Sequence, residues 1–121
     1  MALILVDKSA WVRGIAEHDD RGQLCLCAIS RLEILYSARS SADYEQRATD
    51  LSTLRDLRMD AATFAAAEAA QRELATTGEH RVSLPDLLIA ACAQHHGAAV
   101  LHHDRHFDLL AERFCFRSIR V

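Results

Sequence analysis

Apolar and polar positions along this chain switch between two periods, and each switch marks a structural element. "LILV" (Leu3 to Val6) is a short unbroken apolar run, as expected of a strand covered on both faces. "SAWVRGIAEH" then sets Trp11 and Ile15 one helical turn apart. "QLCLCA" predicts a second strand, and "SRLEILYSARS" returns to helical spacing. In "DYEQRATDLSTLRDL", Tyr44, Ala48 and Leu51 share one face, which predicts an amphipathic helix. "LRM" predicts a third, brief strand. The alanine-rich "AATFAAAEAAQRELATTG" is helical, with Gly78 as its stop. "SLPDLLIAACAQ" opens a further helix that ends near Gly97. "AAVLH", "FDLLAERF" and "CFRSIRV" complete the pattern as strand, short helix and strand.

Strands alternate with helices almost throughout, and the connections are longer than hairpin turns. Both features predict the α/β class, with a parallel sheet covered by helices. The 121 residues suit one domain, spanning 1–121, large enough to hold a core without disulfides or a structural metal.

Composition changes this picture little. Half the residues are hydrophobic, glycine and proline are scarce, and Lys8 is the only lysine. The formal net charge of −3 gives no general attraction for nucleic acid, so any such contact must be local or helped by cations. "MALILV" has no basic stretch before it and is too short for a signal peptide or a membrane span, so the cytoplasm is the expected location. Cys25 and Cys27 point to one face of a strand and read as core filling. Their spacing, with Cys92 and Cys115 far away, argues against zinc.

In an open parallel sheet, ligands bind beyond the carboxyl ends of the strands. Acids at those junctions therefore carry the functional question. Asp7 ends the first strand and reads equally as a helix N-cap. Ser30 and Glu33 have the spacing of a capping box. Ser83 and Asp86 form a similar box, with Pro85 in a first turn that needs no backbone donor there. Asp104 follows "AVLHH", and Asp108 lies four residues on, in a stretch that also reads as a charged loop.

Taken singly, each acid has a capping or surface role. Taken together, a parallel sheet gathers Asp7, Glu33, Asp86 and Asp104 on one edge, where they repel one another without cations. Such hard oxygen donors suit Mg²⁺ or Mn²⁺, and a pair of such ions supports phosphodiester hydrolysis. "HHDRH" offers a rival site, with His102, His103 and His106 as transition-metal ligands. Against it, His102 and His103 alternate faces if they lie on a strand.

"LILVDKSAW", "ISRLEILYSARS" and "LPDLLIAACAQHHGAAVLHHDRHFD" together resemble a PIN domain, and in particular the VapC toxins of type II toxin–antitoxin systems. The resemblance runs from Leu3 to at least Asp108. It implies a five-stranded parallel sheet flanked by helices and a Mg²⁺- or Mn²⁺-dependent endoribonuclease. It assigns the metal and catalytic acids to Asp7, Glu33, Asp86 and Asp104, with Ser9 and Asp108 as auxiliaries. It also implies a homodimer and a small VapB-like antitoxin whose tail fills the active-site groove. Lys8 departs from the family, which usually has Thr or another small residue there. Arg13, Arg39 and Arg105 lie near the proposed site in sequence and are candidates for holding RNA phosphates. Tyr36, Trp11 and a helix from Tyr44 to Leu57 are either core or the lining of the antitoxin groove.

Three other readings use the same chain. A receiver domain needs a late lysine, and this chain has only Lys8. A dehalogenase-type phosphatase begins with D-x-D, where this chain has "DKS". A non-catalytic domain binding protein or RNA stays open at this level.

Overall fold

A computed structural model describes residues 2–14 and 23–121. Five strands form one parallel sheet: β1 (Leu3–Val6), β2 (Gln23–Leu26), β3 (Arg55–Asp56), β4 (Ala99–His102) and β5 (Ser118–Arg120). Their order across the sheet is β3-β2-β1-β4-β5. Among the described residues, six helices connect them: α1 (Lys8–Trp11), α2 (Ala28–Tyr36), α3 (Ser41–Leu51), α4 (Ala61–Ala75), α5 (Leu84–His96) and α6 (Arg105–Leu110).

Strand alternation builds two cores. Leu5, Cys25 and Val100 face one side, where α4, α5 and α6 bring Leu74, Ile89 and Phe107. Ile4, Val6, Leu24, Leu26 and Leu101 face the other, against Ala10, Ile34 and Leu51 of α1, α2 and α3. The central strands are therefore apolar on both faces, which accounts for the unbroken run "LILV". Cys25, Cys27 and Cys92 are buried free thiols, packed as core in the first of these clusters.

Three expected boundaries shift. The helix read over Tyr44 to Leu57 ends at Leu51, because Arg55 and Asp56 pair with Cys25 and Leu26 as β3. That strand precedes "LRM", whose Leu57 only adds an N–H bond to the Leu26 carbonyl at 2.7 Å. The second helix begins at Ala28, not at a Ser30 cap. Ser30 is fully buried inside the first turn; its hydroxyl accepts from the Cys27 N–H at 2.9 Å and donates to the Cys27 carbonyl. The Ser30–Glu33 box is thus replaced, and Glu33 is released from capping. Ile15 lies outside the described residues.

Helix ends otherwise follow the expected chemistry. Gly97 ends α5 at φ 65°, a left-handed conformation that glycine adopts without a Cβ clash. Among the described residues, no helix is long and apolar enough to cross a membrane.

Candidate metal centre

Two adjacent strands place the first two acids. β1 and β4 pair from Ile4–Ala99 to Val6–Leu101, and the ladder continues through an Asp7 N–H bond to the Leu101 carbonyl at 2.9 Å. Just beyond each strand, an aspartate caps the next helix. The Asp7 carboxylate accepts from the Ser9 N–H at 2.9 Å and from the Ser9 hydroxyl. The Asp104 carboxylate accepts from the His106 N–H at 3.0 Å. The Ser9 hydroxyl also accepts from the His103 N–H at 2.9 Å, tying the two strand ends together.

The other two acids arrive on helices. Asp86 stands in the first turn of α5, behind its Ser83 cap and beside Pro85. Glu33 lies in the second turn of α2. Donor atoms of Asp7, Glu33 and Asp86 all lie within 4.8 Å of one another. So do those of Asp86, Asp104 and His106. Asp86 belongs to both groups, so the four predicted acids form one continuous cluster at the carboxyl edge of the sheet.

The electrostatics follow from this crowding. Burial, and then the negative charges of Asp7, Asp104 and Glu33, push the Asp86 carboxyl up to about 7, against a smaller pull from His106. Glu33 is also raised, by burial and by Asp7, and Lys8 partly offsets the shift. The unusual lysine therefore favours the ionised form of Glu33. Four crowded carboxylates, with an imidazole beside them, form a donor set suited to a hard divalent cation such as Mg²⁺ or Mn²⁺. None of the cysteines belongs to either donor group.

The structure separates the histidines. His102 is fully buried; its Nδ1 accepts from the Asp104 N–H at 3.1 Å, so Nε2 carries the proton and donates to the Ser118 hydroxyl. Burial lowers the proton affinity of His102, in keeping with this neutral form. His103 directs Nδ1 to the Val121 carbonyl. The three-histidine site is therefore not assembled. His106 instead joins the acids, with Nδ1 at 3.4 Å from Asp104 and 3.7 Å from Asp86. Reading "HHDRH" as a rival to the acids named this residue but set it apart from them. The available signal was its place two residues after a capping aspartate, as with Ser9.

Asp108 is not brought to the cluster. Its carboxylate accepts from the Ser118 hydroxyl at 2.7 Å and from Arg120 at 3.1 Å. Arg13, Arg39 and Arg105 are exposed. Arg105 follows Asp104 at the rim, whereas Arg39 sits in the turn between α2 and α3. Trp11 packs against the second core, while Tyr36 is 88% exposed.

Comparison with known proteins agrees with this geometry. The PIN domain family matches residues 4–113. The chain is 42% identical to "Ribonuclease VapC17" of Mycobacterium tuberculosis over 118 residues, covering 92% of this chain and 89% of that protein. It is 39% identical to "Ribonuclease VapC18" of the same organism, covering 88% of this chain and 85% of that protein. Among solved structures, VapBC-5 of M. tuberculosis has a TM-score of 0.76 at 23% identity, covering 100% of both chains. A DNA-bound VapBC from Salmonella typhimurium has a TM-score of 0.78 at 22% identity, covering 99% of this chain and 98% of that one. These last two likenesses concern the fold.

Proposed function

The chain belongs to the PIN-domain family, and from that premise we propose that it is a divalent-metal-dependent endoribonuclease, the toxin of a type II toxin–antitoxin pair. The observation that carries this reading is Asp86, shared by two donor groups and held near a proton affinity of about 7 by burial and three neighbouring acids. A bound cation would take the place of that proton and relieve the repulsion.

Asp7, Glu33, Asp86 and Asp104 would hold Mg²⁺ or Mn²⁺, and Ser9 keeps the Asp7 carboxylate in place. When bound, the metal supplies Lewis-acid polarisation of the scissile phosphate and a more acidic attacking water. The chain's own part is orientation. Three carboxylates are fixed by helix starts or strand ends, so little reorganisation accompanies the reaction. Arg105 at the rim, with Arg13 and Arg39 further out, draws phosphates toward a centre whose own charge repels them.

The partner reading rests on the names of the relatives and on surface chemistry. Val12, Leu32 and Tyr36 are exposed apolar side chains on the α1–α2 side, and Leu32 and Tyr36 are one turn apart on α2. They offer an apolar face to the tail of a VapB-like antitoxin. The protein acts in the cytoplasm as a homodimer that the antitoxin silences.

The test uses purified protein and a labelled single-stranded RNA. Cleavage is expected with Mg²⁺ or Mn²⁺, to stop with EDTA, and to fall on the order of 10³-fold in Asp86→Asn. Cleavage that survives both EDTA and Asp86→Asn would remove the metal centre. No cleavage of any RNA, alongside RNA or antitoxin binding that Asp86→Asn leaves intact, would favour the non-catalytic binding domain.

A further inference from the structure

We infer that the centre is chemically two-sided: His106 is itself a metal ligand, making the Asp86–Asp104–His106 side a mixed nitrogen–oxygen subsite that prefers Mn²⁺ to Mg²⁺. The inference rests on the metal-dependent reading above and goes beyond the four acids.

The geometry comes first. Adjacent donors on an octahedral shell of about 2.1 Å radius lie about 3 Å apart, and opposite donors about 4.2 Å apart. His106 Nδ1 lies 3.4 Å from Asp104 and 3.7 Å from Asp86, between those limits. A surface histidine free to wander would not be expected to sit there. Here the Asp104 carboxylate caps α6 by accepting the His106 N–H at 3.0 Å, which fixes the backbone carrying the imidazole. The same short capped unit sets both ligands.

The other side differs. Asp7, Glu33 and Asp86 offer oxygen only, and Ser9 adds a hydroxyl that is already engaged with Asp7 and His103. An all-oxygen set suits Mg²⁺, whereas an imidazole favours ions that accept nitrogen, such as Mn²⁺. Asp86 is common to both groups, so its two oxygens are placed to serve both sides.

The experiment reads the ligand rather than activity. Mn²⁺ is added to the intact, metal-stripped protein, and pulsed electron paramagnetic resonance is used to look for ¹⁴N coupling to the ion. A directly bound imidazole gives that coupling, and ¹⁵N-histidine labelling converts it to the ¹⁵N pattern. The coupling is expected in the parent and in His103→Gln, and is expected to vanish in His106→Asp. His106→Asp keeps an oxygen donor and places an acid in a first helical turn, where it is tolerated. It should still bind Mn²⁺, with a smaller preference over Mg²⁺ in calorimetric titrations. Mn²⁺ bound without nitrogen coupling in the parent, or coupling that persists in His106→Asp, overturns the inference while leaving the metal centre standing. Absence of Mn²⁺ binding in the parent overturns both.

Discussion

"DKS" after β1 and "DRH" after β4 are built alike and behave differently. Each begins with an aspartate just beyond an inner strand. Each aspartate caps the next helix through the N–H two residues on, at 2.9 Å from Ser9 and 3.0 Å from His106. Each has a basic residue between cap and partner. Yet Asp7 is 5% exposed and tied by the Ser9 hydroxyl to the neighbouring strand end, whereas the Asp104 side chain is 36% exposed and faces a half-exposed imidazole. One unit makes an enclosed, oxygen-only half of the centre, and the other makes an open half with nitrogen. The difference lies in the third residue and in burial, while the backbone device is common to both. Capping and ligation are therefore compatible: the cap fixes the carboxylate that a bound metal would require.

The sharpest way to break this comparison is to neutralise each aspartate without losing its cap. Asparagine caps helices about as well as aspartate, so Asp7→Asn and Asp104→Asn should both fold. RNA cleavage is expected to fall on the order of 10³-fold in Asp7→Asn and about 10²-fold in Asp104→Asn. At the open half, water can replace the lost oxygen and His106 remains. At the enclosed half, nothing nearby can substitute. Equal losses, or the reverse order, would show that enclosure does not distinguish the halves.

This comparison also shows what was legible in the sequence. The element order, the parallel sheet and the junction acids follow from period and spacing, because each strand and helix signals itself locally. Glu33 was legible as a site acid but not as it is held. Its apparent Ser30 cap is a buried hydroxyl satisfied by Cys27, and burial of one side chain is a tertiary fact. β3 was placed two residues late for a similar reason. Two exposed polar residues, Arg55 and Asp56, form a strand only because Leu26 and its neighbours offer an edge to pair with. His106 and Asp108 are two residues apart in one helix, and the sequence does not say which turns to the acids. Ser118 and Arg120, brought by β5, take Asp108 away.

A smaller effect tests the repulsion itself. The Asp86 carboxyl is raised from an ordinary 3.8 to about 7. The folded, metal-free protein then holds a proton that the unfolded chain has lost between those values, so stability falls as pH rises through that window. The melting temperature of the stripped protein should drop from about pH 5 to about pH 8, and divalent metal should restore more of it at the higher value. Asp7→Asn removes one of the charges that raise Asp86. It should therefore flatten the drop and melt higher than the parent at neutral pH, although it cuts RNA poorly. A melting temperature that rises with pH, or is unaffected by Asp7→Asn, would mean that the acids do not press on one another as their spacing indicates.

The smallest expected effect separates the open half from its support. His102 receives the Asp104 N–H at Nδ1 and gives its own proton to Ser118, whose hydroxyl donates to Asp108. This chain lies behind Asp104 and touches the metal centre only through backbone. Ser118→Ala strands a fully buried imidazole N–H, which costs about 1 kcal/mol, at the low end for a buried donor because Asp108 stands 3.5 Å away and can take up part of the bond. The melting temperature should fall by about 4 °C. Cleavage should fall only a few-fold, well short of the loss in Asp104→Asn, because the Asp104 carboxylate keeps its cap to His106. If Ser118→Ala instead cuts RNA as poorly as Asp104→Asn while melting like the parent, the buried histidine steers the ligand rather than merely supporting it. The open half would then depend on a hydrogen-bonded chain from β5, whereas the Asp7 carboxylate of the enclosed half is braced by Ser9.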